Sequence, residues 1–354
     1  MLWRELEYRY EKVGHGEILD RMVSKIAIFV LISVAIYFGL STALIIIGKP
    51  KKRLPAQESL AFNELRLDYS RLPQRQSFQA RDGTRLSYRH YASQANKVVI
   101  LLHGSGWHSQ YFLPLALFLS SQGIAQVFTP DLRGHGPTPV RRGDIDYIDQ
   151  LEDDLADFID VIQKTHPHAK LIIGGHSSGG GLAIRFAGSQ YGKHAHAYML
   201  LAPFLKYNAP TIRTNSGGWA QPYTLRIIGL TMLNNVGIHW FDYLPAIAFN
   251  MPEEFRDGTE TLVYSHRLNK AYAPRNYKTD LTNIRQPFLV VAGTADDAFI
   301  AEQFEPVISQ YTRVQVKLLQ DVTHMGVVVG TKVQPVIKYW IEGLDKSESF
   351  SHKN

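Results

Sequence analysis

The sequence predicts an α/β fold: a mostly parallel central sheet with helices on both faces, a helical cap insertion, and a single N-terminal transmembrane helix. Three observations predict it. From residue 76 onward, short apolar runs of strand length alternate with stretches of helical period, the pattern of a parallel sheet covered on both faces. That alternation is broken once, between Pro203 and Arg285, by a stretch rich in aromatic and apolar residues. Near the start of the chain, no charged residue occurs from Ile26 to Gly48.

At 354 residues and 45% hydrophobic, the chain can bury a large core. It has no cysteine, which excludes disulfides, thiolate metal sites and cysteine nucleophiles. The formal net charge of +6 suits an anionic membrane surface. Apart from one short run at Lys49, Lys51, Lys52 and Arg53, the basic residues do not cluster, so no nucleic-acid partner is expected. No cofactor and no metal is expected either.

Residues 1–25 form a mixed-charge, amphipathic-looking segment (Trp3, Leu6, Tyr8, Tyr10, Val13). The uncharged run 26–48 is long enough, at about 1.5 Å per residue, to cross roughly 30 Å of hydrocarbon. A buried core helix is rarely so long and evenly apolar. A cleavable signal would have a shorter apolar core and a small-residue cleavage site before Lys49, which this stretch lacks. The reading is therefore a single-pass membrane protein. Basic flanks (Arg21 and Lys25 before; Lys49, Lys51, Lys52 and Arg53 after) lean towards a cytoplasmic catalytic part, and leave the orientation open.

Residues 49–75, with Pro50, Pro55 and Pro73, read as a polar linker. The core is expected over 76–203 and 286–344. It opens with a hairpin turning at Asp82-Gly83 between two alternating runs. Strands follow at Val98–Leu102, Ala125–Phe128, Lys170–Ile173 and Ala197–Leu201, with a helix from Ile148 to about Lys164. The insertion 204–285 is read as a mostly helical cap containing Trp219, Tyr223, Ile227, Ile228, Leu230, Met232, Leu233, Trp240, Phe241, Tyr243 and Leu244. The sheet resumes at Phe288–Val291 and Val314–Leu319, a last helix runs from about Val327 to Leu344, and 345–354 is a polar tail expected to fray.

In an open parallel sheet, catalytic groups collect on loops at the carboxyl ends of strands. Gly175-His176-Ser177-Ser178-Gly179 follows one strand and opens a helix, the context in which a G-x-S-x-G motif lifts a serine hydroxyl above the sheet. Gly293-Thr294-Ala295-Asp296-Asp297 follows a second strand and Asp321-Val322-Thr323-His324 a third. A serine hydroxyl is a weak nucleophile until a histidine takes its proton, and a carboxylate must orient that histidine. The three strand ends supply all three groups in the order Ser, Asp, His.

With His103-Gly104-Ser105-Gly106, Pro130-Asp131-Leu132-Arg133-Gly134-His135-Gly136 and Thr323-His324 added, the chain resembles the α/β-hydrolase superfamily over roughly residues 75–344. It looks most like the branch of monoacylglycerol lipases, lysophospholipases and serine aminopeptidase-like (S33-type) hydrolases. The resemblance implies Ser177 as nucleophile, Asp296 as acid and His324 as base, with the amides of Ser105 and Ser178 forming an oxyanion hole. Asp297 rivals Asp296, whose Gly-x-x-Asp spacing matches the family better. His103, His135 and His176 rival His324. The first two belong to glycine-flanked loops where a structural histidine fits, and the third should turn away from Ser177 Oγ. Asp131–Gly136 is read as structural. The aromatic residues of the cap could line an acyl-chain site or form the cap's own core. Together these features imply a membrane-anchored serine ester hydrolase acting on a lipid-like monoester, such as a monoacylglycerol or lysophospholipid. An amidase or peptidase of the same fold, or a non-catalytic binding protein, are the alternatives.

Overall fold

The strand and helix alternation of the sequence is realised in a computed structural model that describes residues 2–50 and 60–351. The described chain divides into two compact units, Met1–Lys49 with Tyr223–Phe241, and Pro50–Pro222 with Asp242–Asn354.

The larger unit is an α/β-hydrolase fold. Its strands in chain order are β1 (Gln76–Gln79), β2 (Arg85–Tyr91), β3 (Lys97–Leu102), β4 (Gln126–Pro130), β5 (Lys170–His176) and β6 (Ala197–Leu201). The inserted β7 (Ala220–Pro222), β8 (Pro245–Phe249) and β9 (Val263–Ser265) come next, followed by β10 (Phe288–Gly293) and β11 (Gln315–Leu319). Eight of them form one sheet in the order β1-β2-β4-β3-β5-β6-β10-β11. The β1–β2 hairpin turns at Asp82-Gly83 as the sequence predicts and joins β4 antiparallel, while every other pair in this sheet is parallel. Strands β4 and β6 are buried throughout, as apolar runs covered on both faces must be.

The helices, in chain order, are α1 (Leu2–Ile47), α2 (Leu113–Ser121), α3 (Gln150–Thr165), α4 (Ser178–Ala187), α5 (Thr224–Asn235), α6 (His266–Tyr272), α7 (Tyr277–Thr282), α8 (Phe304–Ile308), α9 (Gly326–Val329) and α10 (Val333–Ser351). Helix α3 keeps Leu151, Leu155, Phe158, Ile159 and Ile162 buried on one face, the i, i+4, i+7 spacing that the sequence shows.

Four regions depart from the sequence reading. Besides its helices the insertion carries a small sheet that the sequence reading lacks, because β7, β8 and β9 pair antiparallel. Strands of three to five residues are too short to declare a period of two. The segment read as a polar linker packs its later part into the core. Phe62–Leu65 forms a 3-10 turn, and Leu60, Phe62 and Leu65 are buried. The final helix is split, since Gly330 is extended between α9 and α10. Finally, α10 continues beyond Leu344, and Asp345 is bonded to Lys97 Nζ at 2.5 Å and Lys170 Nζ at 3.1 Å. Linker residues 51–59, tail residues 352–354 and the side chains of residues 1–18 of the amphipathic segment 1–25 lie outside the described residues.

In the smaller unit, α1 includes Leu19–Ile47, a stretch long and apolar enough to cross a membrane by length and composition. Its side chains Phe29, Leu31 and Ile36 are exposed.

Candidate active site

Strand β5 ends at His176 and α4 begins at Ser178, so Ser177 occupies the turn itself. Its backbone has φ 53° and ψ −120°, a left-handed conformation that costs a non-glycine residue about 1–3 kcal/mol. Neighbouring groups hold it there. The Ser177 N–H donates to Leu201 O on β6, and the Ser177 carbonyl accepts from the N–H groups of Gly181 and Phe204. The turn requires close approach as well. A Cβ on Gly179 would lie 2.0 Å from Leu102 O, so α4 can pack this near β3 only with glycine at that position.

The two other strand ends meet each other. Asp296, in the loop after β10, accepts from His324 Nδ1 at 2.8 Å through Oδ2. Its second oxygen, Oδ1, accepts from the N–H groups of Ala298 and Phe299, both at 2.8 Å. With its carboxylate held on both oxygens and the residue buried, the imidazole is oriented, and Nδ1–H faces the acid while Nε2 keeps its lone pair. Asp297, the rival acid, makes no such bond. Burial first, and the adjacent Asp296 second, push its carboxyl up from the ordinary range. Ser177 and His324 border one cavity of about 20 Å³, shared with Leu60, Phe62, Leu65, Gly104, Ser105, Trp107, Tyr111, His176, Trp219, Met251 and Met325.

The loop after β3 passes over the serine. A Cβ on Gly104 would lie 3.2 Å from Ser177 Cβ. The two glycines of this loop are pinned on either side of Ser105, with Gly104 N–H donating to Tyr111 Oη at 2.6 Å and Gly106 N–H donating to Tyr264 Oη at 2.9 Å. Trp219 Nε1 donates to Ser105 Oγ at 3.2 Å. Neither the Ser105 amide nor the Ser178 amide at the start of α4 donates to an acceptor among the described residues. Both are thus available to a developing negative charge.

The rival histidines are all tied into this scaffold. His103 accepts from the Leu132 N–H at Nε2, which places its proton on Nδ1, facing Gly104 O. Burial pushes its pKa down to about 4. His135 lies between Arg133 O and Tyr264 Oη. His176 borders the cavity too, and both of its ring nitrogens are engaged. Its Nε2–H donates to His324 O, and its Nδ1 accepts from Tyr111 Oη. Burial, and then the proximity of His324, hold it far below the usual histidine range. A single chain of bonds therefore runs from the Gly104 amide through Tyr111 and His176 to the backbone of His324.

Asp131–Gly136 braces the surrounding loops. Asp131 accepts from Ser87 Oγ, Ser109 N–H and Ser109 Oγ. Burial opposes its ionisation, but His108 and Ser109 outweigh that and hold its carboxyl well below the usual range. Arg133 pairs with Asp82 and Asp154. A larger cavity of about 280 Å³ lies against this segment, where Arg133 and Arg141 are paired with Asp82, Asp144, Asp146 and Asp154. It contains neither Ser177 nor His324.

Sequence reasoning missed Tyr111, Tyr264 and the Leu60–Leu65 turn. No local pattern marks a tyrosine whose role is to receive an N–H from a loop 158 residues away in the chain. Of the aromatic and apolar cap residues singled out in the sequence, only Trp219 borders the cavity.

Comparison with known proteins bears on the family and the fold of the chain. The profile of the family described as serine aminopeptidase, S33, matches residues 93–326. A monoacylglycerol lipase of Mycolicibacterium smegmatis is 27% identical over 129 residues, 36% of this chain and 45% of that protein. The monoglyceride lipase of Homo sapiens is 29% identical over 117 residues, 33% of this chain and 38% of that protein. The chain thus spans less than half the length of these curated relatives. Among solved structures, a soluble variant of the monoglyceride lipase of Saccharomyces cerevisiae, in complex with a substrate analogue, superposes with a TM-score of 0.62. It is 18% identical, over 79% of this chain and 98% of that one.

Proposed function

We propose that this chain, which belongs to the serine aminopeptidase (S33) family, is a membrane-anchored serine ester hydrolase acting on a lipid-like monoester such as a monoacylglycerol or lysophospholipid. The observation that carries the reading is the 2.8 Å bond from His324 Nδ1 to Asp296, beside a strained Ser177 on the same cavity.

In this reading Ser177 Oγ attacks the ester carbonyl while His324 Nε2 takes its proton. Asp296 keeps the imidazole in the required tautomer and stabilises its charged form. The oxyanion forms between the Ser105 and Ser178 amides, where fixed donors stabilise charge more than water would. His324 returns the proton to the leaving alcohol. A water molecule, activated in the same way, then hydrolyses the acyl-serine.

The cavity walls favour an ester with an apolar acyl group over a peptide. Leu60, Phe62, Leu65, Trp107, Trp219, Met251 and Met325 border it, and among the described residues no acidic side chain does. The Leu19–Ile47 stretch supports anchoring at a bilayer, where such esters reside.

A fluorophosphonate probe tests the chemistry, and the expected result is stoichiometric labelling lost in Ser177→Ala. Labelling that survives the substitution, or none on the folded protein, would overturn the reading. A hydrolysis panel of monoacylglycerols, lysophospholipids, short-chain p-nitrophenyl esters and aminoacyl amides tests the substrate. Equal rates on short and long acyl chains would remove the lipid assignment.

A further inference from the structure

Helix α5 belongs to the same compact unit as α1, and the two pack antiparallel. Arg226 Nε donates to Ile45 O at 3.2 Å. One turn on, Gly229 lies so close that a Cβ there would be 2.6 Å from Ser41 O. One turn further, Tyr37 Oη donates to Met232 O at 2.5 Å. The contacts thus step from Ile45 to Tyr37, about 12 Å along α1 at about 1.5 Å per residue. All of these α1 residues lie inside the uncharged run 26–48.

If that run crosses a bilayer, as the membrane-anchor reading above requires, a helix packed along it occupies the same medium. The outward side of the segment is built for that medium. Leu225, Ile228, Val236, Trp240 and Phe241 are exposed, with Trp240 at 81%. From Thr224 to Phe241, Arg226 is the only lysine, arginine, aspartate or glutamate, and it is buried with its guanidinium on the Ile45 carbonyl. At 12 residues α5 is far too short to span about 30 Å of hydrocarbon, so it must enter and return on one side. Gly237, at φ 81°, provides the turn, and Asn234 Nδ2 donates across it to Ile238 O. That bond satisfies one polar group at the far end, where Asn235 and His239 also lie. Close packing at a glycine is how helices associate in lipid, where no hydrophobic force drives them together.

We propose that residues 224–241 are a re-entrant membrane element, seated in phospholipid acyl chains alongside α1. The insertion of this hydrolase would then be held in the bilayer at two places, by α1 and by its own α5, and lipid would cover the α5 face.

The chain lacks cysteine, so single-cysteine variants report cleanly. The full chain is reconstituted into phosphatidylcholine vesicles as Ile228→Cys, Trp240→Cys, Phe29→Cys on α1, and Val140→Cys on an exposed loop of the larger unit. Modification by a charged, impermeant maleimide requires a hydrated thiolate. Ile228→Cys and Trp240→Cys should react at least about tenfold more slowly than Val140→Cys, like Phe29→Cys. A fluorophore attached at Ile228→Cys should be quenched by lipids carrying a spin label in mid-chain. Fast modification at 228 and 240 with Phe29→Cys protected would overturn the proposal while leaving the anchor intact. Fast modification at Phe29→Cys would overturn both. Protection at 228 without quenching would mean that protein rather than lipid covers this face, and would also overturn the proposal.

Discussion

Ser177 and Ser105 border the same small cavity and are held there by different means. The serine turn is fixed from within, where β5 runs into α4, neighbouring backbone groups bond to it, and Gly179 gives α4 room against β3. The Ser105 loop is fixed from outside, by the hydroxyls of Tyr111 and Tyr264 and the indole of Trp219. Local support leaves a mark in a short stretch of sequence, whereas support by distant side chains leaves none. Variants on the two sides should therefore fail differently.

The largest effect belongs to the locally built side. Asp296→Asn should lower kcat by about 10³–10⁴-fold, because the amide favours the wrong tautomer of His324. Asp297→Asn should change it by less than about tenfold, because Asp297 does not contact the imidazole. Steady-state kinetics on a chromogenic ester checks both, and the reverse outcome would move the acid to Asp297.

Next comes Gly179→Ala. The added carbon would sit 2.0 Å from Leu102 O and 2.5 Å from His103 O, both backbone atoms that cannot rotate away. A loss of about 3 kcal/mol or more is expected, at the upper end for overpacking, and read from urea unfolding. A variant that unfolds like the parent would mean that the elbow tolerates a wider helix-to-strand spacing.

The same division explains what the sequence made legible. The three strand-end groups could be read because each requirement is local: a serine between glycines, an aspartate after a strand, a histidine after the last one. The three-stranded sheet of the insertion could not, since β7, β8 and β9 are too short to show alternation. Nor could the Leu60–Leu65 turn, whose apolar residues are scattered among polar ones and acquire meaning only when they meet the cavity. The aromatic residues of the insertion read alike in sequence, yet Trp219 is buried beside Ser105 while Trp240 is exposed. Composition places such residues in one segment but does not say which face each occupies.

The externally held loop makes stability depend on acid. His103 has an ordinary pKa near 6.5 when unfolded and about 4 when folded, so the unfolded chain binds the extra proton between those values. Its contribution is complete above about pH 6.5 and is lost progressively as the pH falls towards 4. The full loss is about 3 kcal/mol for this side chain, at 1.36 kcal/mol per unit. His135 and His176, also depressed chiefly by burial, act in the same direction. Unfolding free energies measured between pH 7 and 4 should fall steeply, and His103→Gln should flatten part of that slope. An unchanged slope would mean that the loop histidines are not the acid-sensitive groups.

The smallest effect distinguishes the two supports most sharply. Tyr264→Phe removes the acceptor of the Gly106 N–H and the donor to His135 Nε2, yet leaves the ring stacked on Tyr272 and edge-on to Phe249 and His135. In the proposed mechanism the loop, freed on one side, would no longer fix the Ser105 amide where the oxyanion develops. A displacement of about 1 Å at a catalytic group costs on the order of 10²-fold, so kcat should fall by about 10–100-fold. KM should move little, because the ground-state ester does not carry the charge that this amide stabilises. Fluorophosphonate labelling of Ser177 should slow by a similar factor, since that reaction also places negative charge on an oxygen at the same position. A fall in kcat with unchanged labelling would place the effect of Tyr264 on product release instead of on the loop. A rise in KM with kcat unchanged would assign the tyrosine to substrate binding.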